Sequence, residues 1–219
     1  MQKLSRFTLS VCCVSVASSV VCASAFAAPR QVGSLTFTAT TPNAVTGTVL
    51  DVSFQNPDDP AARPYTVANM VIHIPTGTKN DTTAPPQCHA TDAELLAFGP
   101  AACPADTKIG GGYAVSDTGA NSPSRYSRSE ITNFNNQDEV IGIAVNNDIP
   151  VIRNIDRSKY GPGTLTSTFP IFPAAPEPPT NEPYTPLSHL HIAFPPHKYG
   201  DKAYGRTPPT CPLSRHWTF

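Results

Sequence analysis

The stretch SLTFTAT, residues 34–40, sets Leu35, Phe37 and Ala39 on one side of an extended chain and Thr36, Thr38 and Thr40 on the other. Successive side chains of a strand point to opposite faces, so this alternation predicts a half-buried β-strand. The turn TPN follows, then VTGTVLDVSF at 45–54 and TVANMVIHIP at 66–75, where Met70, Ile72 and Ile74 share a face and Pro75 ends the run. Further candidates are Lys108–Ser116, Ser127–Asn135, Glu139–Asn146, Val151–Asp156, Thr164–Phe169, Ser188–Phe194 and Leu213–Phe219. Threonine and valine enrichment, period-two alternation and turn residues between runs predict an all-β antiparallel fold. Such strands hide one face each, which points to a two-layer β-sandwich, Ig-like or jelly-roll-like, with a β-barrel as the alternative.

Proline reinforces that reading. The chain carries 25 prolines in 219 residues, and proline breaks both helix interiors and central strands, so a helical bundle is excluded. From Tyr160 onward the prolines and aromatics crowd together. FPIFPAAPEPPTNEPYTP is too proline-dense to pair as a strand and reads as a surface connector at about 170–187, extended or polyproline in form. Residues 28–219 thus form a single β domain with long Pro-rich loops.

One short helix is expected, over Asp92–Phe98. Thr91 can cap it while Glu94 reaches back, and Gly99-Pro100 ends it. Leu95, Leu96 and Phe98 are expected to cover an edge or open end of the sheets.

The first 27 residues read as a signal peptide. Lys3 and Arg6 form a basic start, Phe7 to Val21 an apolar core, and Ala25-Phe26-Ala27 a small-x-small cleavage pattern. Cleavage between Ala27 and Ala28 is expected, with Ala25 as the other site. The core is short and rich in serine, which argues against a retained anchor, and Val21 before Cys22 argues against a lipoprotein. Removal of Lys3 and Arg6 takes Lys+Arg from 15 to 13 against 16 acids, a formal charge of −3. There is no basic stripe, so nucleic acid is not an expected partner. A secreted, periplasmic or cell-surface location follows, with no membrane span after cleavage; a cell-envelope protein or polysaccharide is the partner class considered.

Cys88, Cys103 and Cys211 remain in the mature chain. A nucleophilic cysteine needs a basic partner, and adjacent His89 would point away on a strand. A zinc site would need Cys88, His89, Cys103 and a remote histidine to converge. A Cys88–Cys103 disulfide is the expectation in an oxidising compartment, with Cys211 as the alternative partner of either. The glycine triplet Gly110–Gly112 lacks the Lys-Ser/Thr ending and following helix of a phosphate loop, and reads as a strand with a bulge or a close approach.

CPADTKIGGGYAV, from Cys103, and YGRTPPTCPLSRHW, from Tyr204, resemble paired landmarks of uncharacterised, signal-bearing bacterial secreted proteins. There a Cys-Pro is followed by a hydroxyl residue and Ile/Val-Gly-x-Gly, and a Thr-Pro-x-x-Cys-Pro precedes a late tryptophan. The likeness covers roughly Cys88 to Phe219; it implies export and a β-sandwich and carries over no activity. Arg215-His216 stand where a glycine commonly precedes the tryptophan, and the resemblance implies a further strand beyond Phe219, whose loss would leave Cys211 unpaired and a sheet edge exposed.

SHLHIAFPPH places His189 and His191 on one strand face, opposite Leu190, Ile192 and Phe194. His-x-His on a strand can chelate copper or zinc, with His197 close by in sequence; a solvated polar face is the plain alternative. No Gly-x-Ser-x-Gly elbow occurs. The carboxylates Asp58, Asp59, Asp138, Glu139, Glu130 and Glu177 sit in turn-like or edge contexts, where only spatial pairing would make a glycosidase. Tyr160, Tyr184, Tyr199, Tyr204 and Trp217 are a candidate binding surface, since flat rings bury area at low entropic cost; packing is the alternative. A membrane barrel ending in WTF is disfavoured by short, proline-interrupted strands and by Arg215 on the face of Trp217. No cofactor motif and no catalytic residue emerge. The function expected is a secreted or envelope-associated structural or binding module, the alternatives being a hydrolase with a spatially assembled site and a metal-binding envelope protein.

Overall fold

The structure is a computed structural model that describes residues 30–59, 61–120, 125–147, 151–170, 184–213 and 217–219. The signal peptide with Ala27 and Ala28, most of the Pro-rich connector, Glu177 and Arg215 lie outside the described residues. The strands are β1 (Gln31–Phe37), β2 (Thr48–Phe54), β3 (Asn69–His73), β4 (Lys79–Asn80), β5 (Lys108–Asp117), β6 (Tyr126–Asn136) and β7 (Glu139–Asn146). They continue with β8 (Ile152–Gly161), β9 (Thr164–Thr168), β10 (Leu187–Phe194), β11 (Lys198–Tyr199), β12 (Lys202–Ala203) and β13 (Gly205–Arg206). Among the described residues the single α-helix, α1, spans Asp92–Phe98.

The fold is all-β and antiparallel with one short helix. Nine strands form one curled sheet in the order β1-β2-β10-β5-β6-β7-β8-β9-β3, the half-barrel form. The curl brings the sheet's two ends to a shared interior: Leu35 and Phe37 of β1 line the same cavity as Met70 and Ile72 of β3. Small pairs, β4 with β13 and β11 with β12, complete the strand pairing.

Alternation places the core where the pattern requires. Val52, Phe54, Ala114 and Leu190 are buried together, with Leu50, Met70, Ile131 and Ile192 packed against them. In β5 the glycines allow close approach: a Cβ at Gly112 would lie 1.8 Å from the His191 carbonyl oxygen. The register of β5 on β6 shifts between Lys108 and Gly110, the bulge expected there. Of the last expected strand, Leu213–Phe219, the described residues Leu213 and Trp217–Phe219 are not in strand conformation. Leu213 is fully exposed, while Trp217 and Phe219 turn their rings onto Phe37, 5.7 and 4.7 Å between centroids. Ring packing takes the place of a ladder there.

The outer face of β6–β8 is covered by the segment that carries α1. Cys88 and Cys103 are joined in a disulfide, with Cα atoms 5.2 Å apart. They are buried with Leu95, Phe134, Ile141 and Ile143. The expected cover by three helical apolar residues reduces to one. Leu95 is buried while Leu96 and Phe98 are exposed, because a seven-residue helix presents only one narrow stripe to the sheet. Arg157 holds the helix start, bonding Asp92 at 2.7 Å and Glu139 at 2.5 Å. Thr91 accepts from the Glu94 amide at 3.3 Å and donates its own amide to the Glu94 carboxylate at 2.8 Å. Thr91→Ala should therefore lower stability by about 1 kcal/mol in urea unfolding.

Candidate functional site

The concave interior of the half-barrel holds a cavity of about 200 Å³. Its walls follow from strand parity. Leu35, Leu50, Met70, Ile72, Ile131 and Ile192 point inward from both ends of the sheet. One pole is polar, built by Asn133, Asn154, Asp156, Ser158 and Ser167. β8 supplies three of these residues because its even positions face in while Arg153, Arg157 and Lys159 alternate with them. Gly142 leaves the space between: a Cβ there would stand 3.1 Å from Asn133 Oδ1 and 3.6 Å from Asp156 Cβ.

The hydrogen bonds at this pole have a direction. The Ser158 hydroxyl donates to Asp156 Oδ2 at 2.6 Å. Its single proton is then used, so in the 2.6 Å contact between the two serines Ser167 donates to Ser158. Asp156 Oδ1 is buried with no hydrogen-bond partner. Burial pushes the Asp156 carboxyl above its ordinary value, opposed by the hydrogen bond from Ser158. Asp156 is the one carboxylate among the described lining residues, which include no Lys, Arg or His.

Elsewhere on the wall the Tyr160 and Tyr204 hydroxyls meet at 3.0 Å. Burial raises both phenols above the ordinary tyrosine value, Tyr204 the further. Tyr204 packs inside with Ile109 and Val140, with Tyr160 and Tyr199 against them. Tyr184 is exposed and its carbonyl accepts from Arg63 at 2.7 Å. Trp217 donates its indole N–H to the Thr210 carbonyl at 3.2 Å.

His189 and His191 do share the outer face, as the alternation predicts. Cross-strand pairing brings them the carboxylate that their own segment lacks. Asp51 Oδ2 lies 2.9 Å from His191 Nδ1 and 3.5 Å from His189 Nε2. Tyr113 stacks on both rings, and Arg128 caps Tyr113 at 3.7 Å. Among the described residues no group of three or more His, Cys, Asp or Glu side chains is placed to hold a metal ion. Ser53 Oγ stands 3.1 Å from His189 Nδ1, so serine, imidazole and carboxylate are in sequence. They lie on the outer, solvent-facing side of the sheet, where the neighbouring amides belong to paired strands and are not pre-arranged as oxyanion donors.

The remaining carboxylates serve local structure. Asp58 accepts from the Tyr65 hydroxyl at 2.7 Å, and Asp59 from the Ala61 amide at 3.0 Å. Asp138 stands in the β6–β7 turn with φ of 55°, Glu139 pairs with Arg157, and Glu130 pairs with Arg128. Asp156 is not singled out by sequence because the strand expected there, Val151–Asp156, ends on it, whereas β8 runs on to Gly161. The signal was present in IRNIDRSKY, where Arg153, Arg157 and Lys159 fall in one row and Asn154, Asp156 and Ser158 in the other. A strand polar on both faces cannot bury an ordinary core row.

No protein family matches the chain, and neither a curated protein nor a solved structure matches it.

Proposed function

We propose that this protein is an exported binding module that takes a small apolar ligand into the concave interior of its half-barrel. The cavity carries the reading. It is concave, apolar on its walls and polar at one pole, the arrangement by which pockets combine affinity with orientation. Cavities of about 150 Å³ lined by aliphatic and aromatic side chains admit benzene-sized molecules, so the observed volume suits a ligand of that order. A lining of this kind favours a lipophilic small molecule over a polysaccharide. Export is supported by the basic, apolar and Ala-x-Ala features of the leader, by the resemblance to signal-bearing secreted proteins, and by a disulfide at the centre of a core cluster. No described helix is long and apolar enough to cross a membrane.

The test is a methyl-detected NMR titration with 1-hexanol. Shifts should concentrate on Leu50, Met70, Ile72, Ile131 and Ile192 and leave exposed Val32 and Leu213 in place. Ala144→Leu, which fills the lining at Ala144, should suppress them. Shifts scattered over the outer surface, or none, would remove the reading.

A further inference from the structure

We infer that the cavity selects an apolar amine, with Asp156 Oδ1 as the acceptor and counter-charge for its ammonium group. The inference rests on the cavity being the ligand site and specifies what that site recognises. Three features carry it. The polar pole offers acceptors: Ser158 donates its proton to Asp156 and Ser167 donates its own to Ser158, which leaves Ser167 lone pairs and a buried, unpartnered Asp156 Oδ1 at this pole. An ammonium brings three donors and no acceptor, the complement of such a pole, whereas a ligand carboxylate would meet only repulsion. The described lining holds no cationic side chain, so a buried ionised carboxylate lacks a compensating charge that the ligand would supply. The alkyl walls then cover the rest of the molecule.

Burial also gives a signature in the empty protein. A carboxyl whose folded pKa stands above 3.8 keeps its proton longer when folded than when unfolded. Stability from this group is complete below the ordinary value and is lost as pH rises through the raised one. The other titratable side chains facing this interior are Tyr160 and Tyr204, both shifted upward from 10.0 and silent in the acid range. Asp156→Asn should remove that slope and make the protein more stable at neutral pH. A residue kept only for the fold would not behave so.

The experiment titrates wild-type protein and Asp156→Asn with 1-hexylamine, 1-hexanol and hexanoate at neutral pH, read by methyl shifts. Wild type should bind the amine tightest and the acid least. In Asp156→Asn the amine-to-alcohol affinity ratio should fall about tenfold or more, as for loss of a close charge pair. Alcohol binding equal to or tighter than amine binding, or a ratio that survives Asp156→Asn, overturns the amine assignment and leaves the ligand cavity standing. Binding of none of the three overturns both. The gain in stability of Asp156→Asn shows that the variant is folded when its binding is read.

Discussion

Replacing Cys88 and Cys103 together with alanine should lower the unfolding free energy by about 3 kcal/mol, because the closed loop restricts the unfolded chain. The loop spans 15 positions, and the two sulfurs sit inside the cluster with Leu95, Phe134, Ile141 and Ile143. Loss of the link therefore also loosens packing over β6 and β7. A helix of seven residues is marginal by itself in water, so α1 depends on being fastened at both flanks. Other fastenings remain in the double variant. The Asn135 side-chain amide donates to the carbonyls of Thr82, Pro85 and Pro86 at 2.9, 3.2 and 3.0 Å, and Arg157 still grips Asp92. These hold the start of the segment, before Cys88, and the first turn of the helix, while the return through Gly99–Ala102 is held by local bonds, the Gly99 amide to the Leu95 carbonyl and the Cys103 amide to the Pro100 carbonyl, and by packing. Urea unfolding followed by fluorescence and far-UV signals should show a lower midpoint with a cooperative transition. A loss below about 1 kcal/mol would mean that hydrogen bonds and ion pairs, and not the covalent link, set the loop.

The parts of this fold that were legible in the sequence are those governed by neighbours a few residues apart. Alternation in SHLHIAF located β10 and the faces of His189 and Leu190. Thr91 and Glu94 marked the helix start, and the cysteine spacing marked the staple. Strand order was not legible, because period two says which face is buried and nothing about which strand lies beside which. β10 inserts between β2 and β5, over a hundred residues from β2 in the chain. That insertion assembles Asp51 with His191 on the outside, and it closes the wall formed by Leu50, Leu190 and Ile192 on the inside. Asp156 escaped for a related reason. Its row is polar in sequence, and only the curl of the sheet turns that row toward an apolar interior.

Asp117→Asn is expected to cost about 3 kcal/mol, at the lower end of what breaking a buried ion pair costs. The Asp117 side chain is 1% exposed and that of Arg63 6%, with Arg63 Nε at 3.3 Å from Asp117 Oδ1 and Arg125 at 2.9 Å from Oδ2. The carboxylate thus stands between two guanidinium groups, one interior and one near solvent. Asparagine keeps the size and removes the charge that both arginines face. Two carbonyls moderate the damage, since Arg63 also donates to the backbone of Asp117 at 2.5 Å and of Tyr184 at 2.7 Å. Gly119 makes room for this arrangement: its φ is +79°, and a Cβ would approach Arg63 to 2.9 Å. The cluster also acts on the cavity. Asp117 donates its amide to the Pro186 carbonyl at 2.9 Å, which fixes the approach to β10 just where its register on β5 shifts between Leu187 and His189. Hydrogen exchange in Asp117→Asn should therefore quicken first at the start of β10, and hexanol affinity should fall with it. Adding Arg63→Met should restore only part of the lost stability, because it removes the unmatched charge and strands the two carbonyls. Complete restoration would assign the cost to charge alone, and uniform acceleration of exchange across the sheet would deny the cluster its local role in seating β10.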